Sequence, residues 1–185
     1  MTLQEKTKSF LSNSYVRFLL IFIPLMCMDI FFLKPFIKNH YLDQDLSSFK
    51  DYSWKYLIAI TVVLIIVLVI CLKVKTISHF INICIFSTVF VFFVLRTVLI
   101  NIILLINIQT EKSQITNTYK VISYKEMKIF WLNSDEKNSI NDNDKIKLID
   151  KRRKEKGQKS LFEYKMNDTI QVKLKKGVFN VNYIE

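Results

Sequence analysis

The sequence predicts an integral membrane protein with three transmembrane helices, followed by a small all-β C-terminal domain, a barrel or sandwich of five or six strands. Three observations carry that prediction. Hydrophobic residues make up 51% of the 185 positions, yet they are bunched into three long runs that end by residue 108. The chain has two glycines, two prolines and a single alanine, Ala59, fewer small residues and turn formers than a soluble core of this size uses. From Thr110 onward the character changes to polar, basic and alternating. The expected division is a membrane domain over 1–109 and a soluble β-domain over 110–185.

The first apolar run, VRFLLIFIPLMCMDIFFLKPFI over 16–37, is bounded by Arg17 and by Lys34 and Lys38. About 20 helical residues at about 1.5 Å each span the hydrocarbon core, so this run is long enough to cross. A cleaved signal segment has a shorter apolar core and a small-residue cleavage site, and neither feature is here. Pro24 removes one helical hydrogen bond and predicts a kink. The second run, 57–72, has Trp54, Lys55 and Tyr56 before it and Lys73 and Lys75 after it, the aromatic and lysine flanks of a headgroup layer. The third, over 80–106, is longer than one crossing requires and contains Arg96, so its last turns are expected to leave the bilayer.

In the tail, Ile170, Val172 and Leu174 alternate with Gln171, Lys173 and Lys175. After Lys175-Lys176-Gly177, Phe179, Val181 and Tyr183 alternate with Asn180 and Asn182, which predicts a hairpin. Stretches at 118–124, 127–132, 144–149 and 160–165 alternate in the same way and predict four further strands. Segments 133–143 and 150–159 are read as loops. At about 70 residues the tail buries a limited core, of order 3–5 kcal/mol in net stability, and its final hairpin is an edge open to a partner by strand addition.

Three crossings place the termini on opposite sides. Basic residues nearly balance across the membrane, and the short, purely basic second loop tips the expected orientation toward an N-terminus inside a bacterial cytoplasmic membrane and a C-terminal domain outside the cytoplasm.

Composition excludes several kinds of chemistry. With glycine only at Gly157 and Gly177 there is no phosphate loop, dinucleotide fingerprint or nucleophile elbow. Cys27, Cys71 and Cys84 all lie in apolar runs and read as small hydrophobes. His40 and His79 belong to no ligand or nucleophile–base spacing, so no metal, cofactor or catalytic residue is expected.

The residues singled out are polar ones in apolar surroundings. Asp29 and Arg96 each cost at least about 2.5–3.5 kcal/mol alone in hydrocarbon, and pairing lowers that cost. Asp29 lies about 18 Å past Arg17 and Arg96 about 24 Å past Phe80, depths that permit contact; Asn82 falls within about 40° of Arg96 at 100° per residue. Asp29, Asn82 and Arg96 are therefore the expected intramembrane polar group. A second feature is the dense basic run with Lys151, Arg152, Arg153 and Lys154, within a net charge of +11 for the chain. It reads as a solvated loop able to touch anionic lipid; nucleic acid is not expected, because no stacking aromatic is interleaved.

These features point to a non-enzymatic polytopic membrane protein whose partners are the lipid bilayer and another protein, bound through the β-domain or the helices. An accessory subunit of an envelope complex and an immunity-type protein against a toxin or bacteriocin both fit. A small transport or channel subunit using the intramembrane polar residues is the alternative.

Overall fold

A computed structural model describes residues 14–125, 128–133, 139–140 and 142–184, and side chains of most of these. Three of its helices are long and apolar enough to cross a membrane: Leu19–His40, Trp54–Cys71 and Ile77–Gln109. Their large side chains, among them Phe31, Phe32, Ile70, Ile77 and Phe93, are exposed, as helices that face lipid require.

The first span is α1 (Ser14–Met28), a π-helical turn (Asp29–Leu33) and α2 (Lys34–His40) in one continuous helix. Pro24 lies inside α1 without interrupting it. The irregularity sits instead just before Pro35, which has no N–H for the carbonyl one turn back; the Lys34 N–H reaches five residues back to the Asp29 carbonyl and the helix widens there. The second span is α4 (Trp54–Cys71). The third is α5 (Ile77–Val89), a second π-helical segment (Phe90–Leu95) and α6 (Arg96–Gln109). Its 33 residues make about 50 Å of helix, well beyond a hydrocarbon layer of about 30 Å.

Between the first two spans lies α3 (Asp43–Tyr52). Asp43 and Asp45 in its first turn and Lys50 in its last complement the helix dipole, and Phe49 is its buried anchor.

The tail is a single open antiparallel sheet in the order β3-β2-β1-β4-β5. Most of its length is in three strands, β1 (Glu111–Lys125), β2 (Lys128–Asn133) and β4 (Thr169–Gly177); β3 (Ser139–Ile140) and β5 (Asn182–Ile184) are short. Among the described residues it is neither closed into a barrel nor stacked on a second sheet. One helix, α7 (Asn143–Glu155), covers one face, where Ile146 and Ile149 pack with Leu161 on Tyr119, Val121, Ile170, Val172 and Leu174.

Two of the expected strands are thereby corrected. Residues 144–149 alternate, but stronger local signals make them helix: Asp142 caps the start by accepting from the Asp144 N–H, and Arg152, Arg153 and Lys154 suit the last turn. Gly157, at φ +68°, closes the end, where the Gln158 N–H bonds the Arg153 carbonyl and the Gly157 N–H bonds that of Lys154. Residues 160–165 hold a single 3₁₀ turn at Leu161–Glu163 that returns the chain to the sheet. The β4 register is as expected, with Ile170, Val172 and Leu174 buried and Gln171 and Lys173 exposed. The turn of the final hairpin falls later than Lys175-Lys176-Gly177, since Lys176 pairs with Asn182 and Leu174 with Ile184. In the expected strand at 127–132, the structure describes the backbone of Lys128–Leu132 within β2, and its side chains lie outside the described residues.

The last strand region is shared between two cores: Ile184 joins the sheet's own core, whereas its neighbours turn to the helices. Val181 and Tyr183 are buried with Ile37, Tyr41, Phe49, Ile100, Ile103 and Leu104, residues of the helices, and Phe179 packs at the edge of the same cluster. The final hairpin is thus docked on its own membrane helices.

Candidate functional site

Three polar constellations merit functional weight, and each is built from a different layer of the fold. Deepest is Asp29, which the π turn presents to α6. Its carboxylate accepts a hydrogen bond of 2.8 Å from the Asn101 amide, and both residues are buried. The expected partner, Arg96, is exposed, as is Asn82, and no Asp29–Arg96 ion pair forms among the described residues. The counted depths brought Arg96 near Asp29, but it is Asn101, five residues further on, that meets the carboxylate; a π segment at Phe90–Leu95 lies between Asn82 and Arg96. A buried carboxylate held by a neutral amide is a fixed interhelical tie.

The second constellation is at the end of α6. Asn107 is fully buried and uses both ends of its amide. Its Nδ2 donates to the Tyr41 hydroxyl at 3.0 Å and to the Val181 carbonyl at 2.9 Å, and its Oδ1 accepts from the Phe179 N–H at 2.9 Å. The Tyr41 hydroxyl in turn donates a hydrogen bond to the Leu104 carbonyl at 2.7 Å. Tyr183 donates to the Ile108 carbonyl, and Asn182 donates to Asp45. Gly177 is required here, because a Cβ at that position would overlap the Asn107 backbone carbonyl. Burial pushes the Asp45 carboxyl up to about 6, against the lowering effect of the Asn182 amide, and burial likewise raises the Tyr41 hydroxyl. Neither Asn101 nor Asn107 was singled out from sequence, although an asparagine in each half of NIILLINI is a readable signal.

The third is a groove of about 600 Å³ between the C-terminal half of α7 and the outer part of β4. The basic run expected as a loop is the last part of this helix. Arg152, Arg153 and Lys156 line the groove with Lys173, Gln171 and Tyr164, while Lys151 is exposed. Arg153 is the structural member: it donates to the Gln171 carbonyl at 2.8 Å, to the Lys159 carbonyl at 3.3 Å and to the Tyr164 hydroxyl at 3.2 Å. Lys159 lies over the Tyr164 ring at 4.9 Å. Lys154 turns the other way, to Asp150 at 2.8 Å. Burial opposes the charge on Asp150, but Lys154, the Leu161 N–H and the Ser160 hydroxyl outweigh it and hold the carboxyl below its ordinary range. The groove walls are therefore held in place by hydrogen bonds.

Among the described residues no cluster of His, Cys, Asp or Glu has the makings of a metal site. His40 bonds the Phe36 carbonyl one turn back and stacks on the Phe36 ring. The chain matches no family model, no curated protein and no solved structure.

Proposed function

We propose that this is a non-enzymatic, multi-pass membrane protein that acts by binding an acidic segment of a protein partner in the groove between α7 and β4. The observation that carries the reading is the convergence of Arg152, Arg153, Lys156 and Lys173 around one groove with an aromatic wall. Positive side chains on a rigid frame favour an acidic partner and speed its encounter. Such a role suits an accessory subunit of an envelope complex or an immunity-type protein, in a bacterial cytoplasmic membrane with the sheet outside the cytoplasm. The transport alternative draws on Asp29 and Asn101, but Asn82 and Arg96, expected to extend that group, are on exposed faces.

The test is site-specific photocrosslinking in native membranes, with the probe placed at Gln158 or Gln171 in the groove, or at Ile81 on the lipid face. Discrete protein adducts are expected from the groove positions alone, and Lys156→Glu with Lys173→Glu should remove them. Adducts to lipid only from all three positions would refute the reading.

A further inference from the structure

A second hollow, of about 370 Å³, lies where the first turns of α3 and α7 meet. Leu42 and Ile140 form its apolar wall; Asp43, Asp142 and Lys145 are its charged residues. Lys145 is the unusual one. It is only 4% exposed, and its ammonium nitrogen is buried with no hydrogen-bond partner among the described residues. Nor does any of them form an ion pair with it; Asp43 and Asp142 act on it only at longer range. A buried ammonium without an acceptor is costly, and an anion placed beside it removes that cost. The start of α3 adds a second attraction for an anion, the positive end of its helix dipole, where Leu42 supplies no side-chain cap. Asp43 is exposed at the rim and Asp142 is half-buried beside it, which makes the outer part of the hollow acidic.

The hollow therefore has two ends of opposite demand, a buried one for an anion and an outer one for a cation. Its depth in the molecule fits one source of such ligands. Leu42 is two residues past His40, where the first membrane-spanning helix ends, so the hollow is at the level of lipid headgroups. We propose that it binds a phosphoethanolamine group, with the phosphate against Lys145 and the start of α3, and the primary ammonium against Asp43 and Asp142. Its volume is in the range of small-ligand sites. A lipid headgroup and a free phosphoethanolamine share this chemistry.

The test uses the full chain in phosphatidylcholine vesicles, whose trimethylated ammonium has no N–H to donate to Asp43 and Asp142. Thermal unfolding is followed with part of the lipid replaced by phosphatidylethanolamine, and separately with soluble O-phosphoethanolamine, inorganic phosphate or ethanolamine added. Phosphatidylethanolamine should raise the unfolding midpoint by several degrees, as a ligand of the folded state does. A rise with soluble phosphoethanolamine in pure phosphatidylcholine identifies the free compound as a ligand; a rise confined to the lipid identifies the headgroup. Lys145→Met, close in volume and uncharged, should abolish either rise. Asp43→Asn, at an exposed position that leaves folding intact, should reduce it to the level of inorganic phosphate. No rise from either source, a rise that persists in both variants, or an equal rise with inorganic phosphate alone would overturn the proposal.

Discussion

The two halves of the third membrane-spanning helix come from one apolar run and use it in opposite ways. In Ile77–Val89 the one buried residue is Ser87, and apart from the partly buried Ile83 and Cys84 the rest is exposed. In Arg96–Gln109 six residues are buried, among them Asn101 and Asn107. Average hydropathy does not separate the two, because lipid and protein interior are both apolar. What separates them is where polar side chains find partners: Asn101 at Asp29, and Asn107 at Tyr41, Phe179 and Val181. In a chain of this composition, buried amides mark the faces that meet protein.

If that contrast is right, substitutions at the docked end should be costly and those at the lipid-facing end nearly silent. The largest expected effect is at Gly177, where a methyl group meets the Asn107 backbone carbonyl. Gly177→Ala should destabilise the full chain by about 3 kcal/mol, the upper end of overpacking penalties, read as a lower unfolding midpoint in denaturant. A loss under about 0.5 kcal/mol would break the claim of close approach.

A smaller effect sharpens the contrast through pH. Asp45 sits at the docked end, and its carboxyl titrates at about 6 in the folded chain against 3.8 for the ordinary group. The folded state binds the proton more tightly, so the contribution is fully present below pH 3.8 and is lost as pH rises through about 6. Asp45 should make the chain less stable at pH 7 than near pH 4 by about 2 kcal/mol, after a discount for partial solvent contact. Asp45→Asn should flatten that part of the profile, and an unchanged profile would remove Asp45 as its source. The smallest effect is expected at the lipid face. Phe93 is 83% exposed, and Phe93→Leu should change stability by no more than about 0.5 kcal/mol in vesicles.

The legible parts of this fold were those set by long patterns. Twenty-residue apolar runs and the alternation of Ile170, Val172 and Leu174 are averaged over enough residues to survive local noise, and they located the spans and the β4 register. Helix α7 was misread because KIKLI is too short to distinguish a period of two from one of 3.6, while the decisive signals were single residues, Asp142 and Gly157, at its ends. The Asp29 partner was misjudged because counted depths do not say which face of the third span turns toward Asp29, and that face carries Asn101. The docked hairpin was unreadable for a deeper reason. Alternation says that Val181 and Tyr183 face something apolar, and it carries no information on whether that surface is the sheet's own core or the helices.

The central claim is that Asn107 fixes the final hairpin to the end of the third membrane-spanning helix, and amide hydrogen exchange at Phe179 tests it most directly. Phe179 lies in a turn, where its N–H has no strand partner and is held by the Asn107 side chain. In the full chain that amide should exchange about as slowly as amides within β4. In Asn107→Ala it should become fast while the amide of Ile170, buried in β4 and away from the dock, stays slow. Rapid exchange at Phe179 in the unaltered chain, or slow exchange that survives Asn107→Ala, would contradict the account.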